Sequence, residues 1–175
     1  MTDPRMKPGQ DFMDLAVELF RRTPVAADST SRALEVVPWC LYSTAEYISE
    51  STVQLDFFRC LEPHQETNLY IPSMLPEPQS FLVQSMHLRG FLSSEPLALG
   101  GFEFWIANKI YAKFPAWVGR MGYPVYPNLF MAPSTHFGAK ITWPADIRLT
   151  DRWGIPQDRR KIQLAFLGQL ARPLQ

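Results

Sequence analysis

The sequence predicts an all-β protein: a single jelly roll or β-sandwich barrel of about eight antiparallel strands, preceded by a short N-terminal helix. Three observations predict it. Sixteen prolines interrupt the chain about every ten residues, and proline, which fixes φ and lacks a backbone donor, belongs at turns and strand ends. Aromatic residues make up 13% of the chain, which favours sheet faces. Beyond residue 35, apolar and polar residues alternate with the period of a β-strand.

The helix is predicted over Asp11–Arg22, before the alternation starts. Its apolar residues recur three and four positions apart, as on one face of a helix, and Pro24 ends it. Residues 1–32 are therefore interpreted as a helix and arm, and residues 33–175 as one β domain. The apolar stripe of this helix is formed by Phe12, Leu15, Ala16, Leu19 and Phe20. It needs a partner surface, which is either its own barrel, a neighbouring subunit, a different partner protein or a membrane.

Five segments carry the strand pattern most clearly, and we predict strands over Glu35–Tyr42, Thr52–Cys60, Ser80–Arg89, His136–Trp143 and Lys161–Leu170. Phe102–Phe114 is predicted to be a hairpin that turns at Ala107-Asn108-Lys109. On the predicted strand Ser80–Arg89, we expect Leu82, Met86 and Leu88 to share a face. The predicted core consists of Phe104, Ile106, Ile110, Phe137, Ile141, Leu164 and Phe166. The last strand, Lys161–Leu170, is so apolar that we expect it to be central.

Three proline-rich or charged stretches are predicted to be loops: Glu62–Gln79, Asp146–Arg160 and the aromatic segment Tyr123–Pro127. In the aromatic segment, Tyr123 and Tyr126 are candidates for an interface with another chain or for sugar stacking. Together with Phe12, Leu15, Leu19 and Phe20 of the helix stripe, they are the interface residues that the sequence predicts.

The sequence offers little that predicts catalysis. Lys+Arg and Asp+Glu are equal at 17 each, so no long-range field favours nucleic acid. No histidine has a second His or a Cys at metal-ligand spacing, and no Gly-x-Ser-x-Gly motif occurs. We therefore predict a non-enzyme with no cofactor, no metal and no small-molecule substrate. Cys40 and Cys60 are expected to be reduced and buried, with a disulfide as the alternative. Neither a signal peptide nor a transmembrane segment is predicted.

The C-terminal half, residues 79–175, resembles a known class of viral protein. The resemblance rests on Gln79–Val83, Phe102–Tyr111, Asn128–Pro133, His136–Pro144 and the terminal Leu164–Gln175. This half of the chain is similar to the small single-jelly-roll major capsid proteins of tailless, membrane-containing icosahedral phages and viruses of the sphaerolipovirus type.

The resemblance implies an upright β-barrel that assembles with itself and with a second capsid protein over an internal viral membrane. It also implies that the protein is made in the host cytoplasm, resides in the virion and has no catalytic residues. Two other interpretations remain open. One is a β-sandwich module that binds carbohydrate or another small ligand. The other is a different phage assembly or tail component.

Overall fold

A computed structural model describes residues 34–48, 54–59, 66–90, 100–115, 122–142, 155 and 159–174. These residues form nine strands and include no helix. The strands are β1 (Leu34–Ile48), β2 (Gln54–Phe57), β3 (Glu66–Thr67), β4 (Ser80–Arg89), β5 (Gly101–Ile106), β6 (Lys109–Pro115), β7 (Tyr123–Met131), β8 (Phe137–Thr142) and β9 (Arg159–Pro173). The all-β prediction is confirmed for these residues, whereas the predicted helix Asp11–Arg22 lies outside them.

The strands form two antiparallel sheets that enclose one main core. The five-stranded sheet has the order β3-β1-β9-β4-β7, and the four-stranded sheet has the order β2-β8-β5-β6. The pairings are nested around the β5–β6 hairpin, because β4 pairs with β7, β2 with β8, and β1 with β9. Successive pairs in this series lie in alternate sheets, so the chain resembles one long hairpin wound back and forth across the sandwich.

The core between the sheets is rich in phenylalanine. Phe166 on β9 packs against the rings of Phe58 and Phe104, with centroids 5.1 and 4.9 Å apart. Six of the seven predicted core residues are buried, namely Phe104, Ile106, Phe137, Ile141, Leu164 and Phe166. Strand β9 lies between β1 and β4. The prediction that the last strand is central is therefore confirmed.

The seventh predicted core residue, Ile110, is 51% exposed, so its prediction was wrong. The predicted hairpin exists, but its turn consists of only Ala107 and Asn108, both with positive φ. Ile106 consequently pairs with Lys109, and Ile110 pairs with the partly exposed Trp105. A bulge follows in β6. Beyond it, Ala112 pairs with Phe104, and the side chain of Ala112 faces the core.

On β4, Leu82 does not share a face with Met86 and Leu88, so that prediction was also wrong. The register shifts between Val83 and Ser85, and this bulge reverses which residues face the core. The β9 backbone approaches closely here, because a Cβ on Gly168 would overlap the carbonyl oxygen of Leu82. The absence of a side chain at this position permits the contact.

The segment Tyr123–Pro127 was predicted to be a loop, but it forms the first half of β7. Among the described strands, β7 pairs with β4 alone and lies at the edge of the five-stranded sheet. Proline is compatible with an edge strand because the missing N–H can face away from the neighbouring strand. β1 also extends further than predicted, to Ile48, and its Pro38 lies beyond the short stretch that pairs with β3.

Candidate interaction surfaces

The two predicted interface tyrosines of β7 have different environments. Tyr126 is 95% exposed, the largest exposure among the described large apolar side chains. Tyr123 instead stacks on Phe114, with ring centroids 4.1 Å apart, and packs against the main core. The structure therefore separates them, and Tyr126 alone presents a free aromatic ring. Phe12, Leu15, Leu19 and Phe20 lie outside the described residues.

Three of the exposed apolar side chains lie along edges of the sandwich, whereas Trp39 and Leu167 lie on the inner strands β1 and β9. Tyr126 belongs to the edge strand β7, and Ile110 belongs to the edge strand β6. Tyr70 is 90% exposed and lies three residues beyond the end of the edge strand β3. Sequence reasoning missed Tyr70 because it lies in a proline-rich loop without periodicity. It missed Ile110 as a surface residue because the bulge in β6 leaves no signature in the sequence.

A shallow groove of about 590 Å³ crosses the five-stranded sheet, where β1, β9 and β4 lie side by side. Its lining consists of Pro38, Trp39, Cys40, Gln84, Leu167 and Gly168. Trp39 is 41% exposed, and the Arg172 guanidinium lies 5.7 Å from its ring centroid. Arg172 is held by Glu35, with Nε 2.6 Å from Oε1. The groove therefore combines an aromatic ring, an amide and an ion pair.

The Cys40 thiol at the edge of this groove is free and partly buried. Burial raises its pKa, and the positive charge of Arg89 only partly offsets this effect. The group therefore stays protonated at neutral pH and is a poor nucleophile. Within the described part of the chain, the thiol makes a weak hydrogen bond, with Sγ 3.9 Å from the carbonyl oxygen of Leu41. Cys60 lies outside the described residues.

The two described histidines lie on β4 and just before β8. Ser85 Oγ lies 3.1 Å from His87 Nε2 on β4. Burial lowers the pKa of His87, and Arg89 lowers it further, so the ring is neutral at pH 7. His136 is exposed, and its carbonyl oxygen accepts a hydrogen bond from Ala107 N at 2.7 Å.

The outer face of the four-stranded sheet carries a small ion-pair network. The Glu103 carboxylate accepts hydrogen bonds from Lys113 and Lys140, at 2.9 and 3.1 Å. These bonds hold the pKa of Glu103 below its ordinary value. The three residues lie on neighbouring strands in register, so the network ties β6, β5 and β8 together. It stabilises the sheet.

Across the described ranges, no three His, Cys, Asp or Glu side chains come together in a way that could hold a metal ion. The same ranges contain no helix long and apolar enough to cross a membrane. No protein-family model matches the chain, and no curated protein shows significant sequence similarity to it. The geometry described above therefore carries the argument about function.

Proposed function

We propose that the domain is a single jelly roll and that the protein is a capsid protein, a structural component of a virion shell. The nested strand pairing carries this proposal. Without the two-residue β3, the sheets have the orders β1-β9-β4-β7 and β2-β8-β5-β6. Winding an antiparallel hairpin of eight strands into two packed sheets is the arrangement of a jelly roll, which occurs in viral capsids, lectins and cupins.

The exposed edges favour assembly over the other functions of this fold. A shell subunit contacts its neighbours through the sides of its sandwich, and the exposed Tyr126, Ile110 and Tyr70 lie along the sheet edges. Large aromatic side chains are the residues that contribute most to protein interfaces. Isolated exposed apolar residues are common on monomers, but two tyrosines exposed by 90% or more are better explained by partners that cover them.

The proposed partners are further copies of this chain and a second capsid protein, over an internal viral membrane. The equal numbers of acidic and basic residues support self-association, because a subunit without net charge does not repel its copies. Nucleic acid is not a proposed partner, since no excess of positive charge would attract a phosphate backbone. The assembled virion is the proposed location of the protein.

Light scattering of the purified chain tests this proposal, alone and mixed with proteins encoded beside it. We expect dimers or larger species whose mass rises with protein concentration. Tyr126→Ser should weaken the association, because the hydroxymethyl group cannot replace the aromatic contact area. Tyr126→Phe is the matched control, since it keeps the ring and should associate as the unchanged chain does.

A chain that remains monomeric both alone and in those mixtures would refute the assembly proposal. An association that Tyr126→Ser leaves unchanged would show that the β7 edge is not the contact. The strand order itself would not be affected by either outcome.

The groove on the five-stranded sheet supports a second candidate, a module that binds carbohydrate. Sugar rings stack on exposed aromatic faces, and Trp39 offers such a face beside the amide of Gln84. The test is retention of the chain on immobilised sugars, with Trp39→Ala as the variant that should abolish it. Retention that survives Trp39→Ala would show that any sugar binding occurs elsewhere.

A further inference from the structure

The groove on the five-stranded sheet follows one row of cross-strand neighbours. Cys40 on β1 pairs with Leu167 on β9. Leu167 also pairs with Ser85 on β4, which in turn pairs with Pro124 on β7. Phe166, the residue before Leu167, is buried in the core, and side chains alternate between the two faces of a strand. The row therefore crosses the outward face of the sheet from β1 to β7.

At its β7 end, this row meets a local excursion of the chain. The pairing of β7 with β4 is interrupted between Pro124 and Leu129, and residues 125–128 lie opposite Gln84 alone. A strand with surplus residues bends away from its neighbour. Gln84 itself is exposed and lines the groove. The excursion of β7 therefore stands directly beside the groove.

Tyr126 belongs to this excursion and points to the same side of the sheet as the groove. Val125 before it and Leu129 after it are both buried in the main core, and Tyr123 packs against that core. Since neighbouring residues of a strand point to opposite faces, Tyr126 lies on the outward face. Its 95% exposure leaves the ring open to a ligand.

Trp39 provides a second aromatic ring at the β1 end of the groove. Its side chain lines the groove and is 41% exposed. The guanidinium of Arg172, which is bound to Glu35, lies 5.7 Å from the ring centroid and helps to hold the indole in place. β1 and β7 are three strand spacings apart, about 14 Å. One sugar ring cannot contact both aromatic rings at this separation, whereas a short oligosaccharide can.

The floor between the two rings suits a sugar better than a peptide or a charged ligand. The six residues that line the groove are all uncharged, and burial raises the pKa of the Cys40 thiol so that it stays neutral as well. The amide of Gln84 and the hydroxyl of Ser85 can exchange hydrogen bonds with sugar hydroxyls. The backbones of β9 and β4 are paired on both sides, so a peptide cannot add to them as a further strand.

We propose, resting on the second candidate function, that the groove binds a linear β-1,4-linked oligosaccharide that stacks on Trp39 at one end and on Tyr126 at the other. Equatorial linkages extend such a chain and leave the apolar C–H faces of its rings free for aromatic side chains. The straight row of cross-strand neighbours accommodates an extended chain, and the Gln84 amide lies between the two stacking rings. Tyr126 is then a ligand platform of the free subunit.

Isothermal titration calorimetry of the full chain tests this proposal, with the β-1,4-linked oligomers of glucose and of N-acetylglucosamine from the dimer to the hexamer. We expect the affinity to rise steeply at the length that first reaches both aromatic rings. Tyr126→Ala should weaken binding of the hexamer roughly tenfold and leave binding of the dimer unchanged, because a short ligand contacts Trp39 alone. Trp39→Ala should weaken binding at every length. The matched control Tyr126→Phe keeps the ring and should bind the hexamer as the unchanged chain does.

A Tyr126→Ala variant that binds the hexamer as tightly as the unchanged chain would overturn the two-ring groove but leave a sugar-binding module at Trp39. An affinity that does not depend on oligomer length would do the same. If the full chain binds none of these oligomers, both the two-ring groove and the carbohydrate-binding module are refuted. Displacement of a bound sugar by an oligoproline peptide would assign the groove to a protein ligand instead. Since Tyr126 is 95% exposed, its replacement should not change the urea midpoint, which verifies that the variant is folded.

Discussion

Replacing Phe166 by alanine should remove a large share of the stability of the domain. Phe166 is 0% exposed on the central strand β9 and packs on Phe58 and Phe104. Truncation of a buried phenylalanine costs about 3–5 kcal/mol. Since two ring pairs add about 0.5–1.5 kcal/mol each, we expect the upper part of that range, about 4–5 kcal/mol. Whole domains are stable by only about 5–15 kcal/mol, so the variant should be close to unfolding.

Urea unfolding followed by far-UV circular dichroism measures this loss. At a typical slope of about 1–3 kcal/mol per molar urea, the midpoint should fall by about 2 M. Leu167→Ala is the control, because Leu167 is the next residue on the opposite face and is 37% exposed; it should cost about 1 kcal/mol or less. A loss below about 1 kcal/mol for Phe166→Ala, with a larger one for Leu167→Ala, would mean that β9 faces the other way. Phe166→Leu provides a milder variant if the alanine protein does not fold.

Three further perturbations address the strand register and the surface charges. Gly168→Ala should destabilise the protein by about 1–3 kcal/mol in urea unfolding, because its Cβ would overlap a carbonyl oxygen of β4. Gly101→Ala should be tolerated, since its nearest neighbour would be 3.7 Å away. Ile110→Ser should change stability by no more than about 0.5 kcal/mol, whereas Ile106→Ser should cost several times more if the bulge sets the inward face. The lowered pKa of Glu103 implies a stabilisation of the folded state that is complete above about pH 4.5 and is lost as the pH falls through the lower pKa of the folded state. Glu103→Gln should therefore make thermal unfolding less dependent on pH in the acid range. An unchanged pH dependence would contradict this expectation.

The sequence predicted the inward faces of strands well wherever the alternation is uninterrupted. Phe137 and Ile141 on β8, and Leu164 and Phe166 on β9, follow a strict period of two and are all buried. The predicted inward orientations of Ile110 and Leu82 were wrong because each residue lies shortly before a bulge in its strand. One extra residue reverses every later orientation in a strand, and neither bulge is marked by a glycine.

The prolines were informative about turns but misleading about β7. The two prolines favoured a loop over Tyr123–Pro127. The segment forms a strand because it lies at the edge of its sheet and needs partners on one side only. Edge and central positions are decided by the tertiary fold, so the sequence could not distinguish them locally. The groove beside Trp39 was not predictable for the same reason, since three distant strands form it.

The sheet edges indicate what kind of assembly this domain can enter. An open edge strand invites pairing with the strand of another chain. Beyond the short pairing with β3, the side chain of Asn68 occupies the free edge of β1. Its amide oxygen accepts a hydrogen bond from Tyr42 N at 2.9 Å, and its amide nitrogen donates to the Cys40 carbonyl at 2.7 Å. On β7, Pro124 and Pro127 remove two backbone donors.

Both edges of the five-stranded sheet are thus poor templates for another strand, yet Tyr70 and Tyr126 beside them are almost fully exposed. Side-chain packing can be broken and remade, whereas strand addition commits a chain to an extended ladder of backbone hydrogen bonds. A shell must correct misplaced subunits while it forms, and this requires contacts that can open again. The proposed assembly would therefore use aromatic contacts between sandwich sides, with the backbone edges protected against uncontrolled polymerisation.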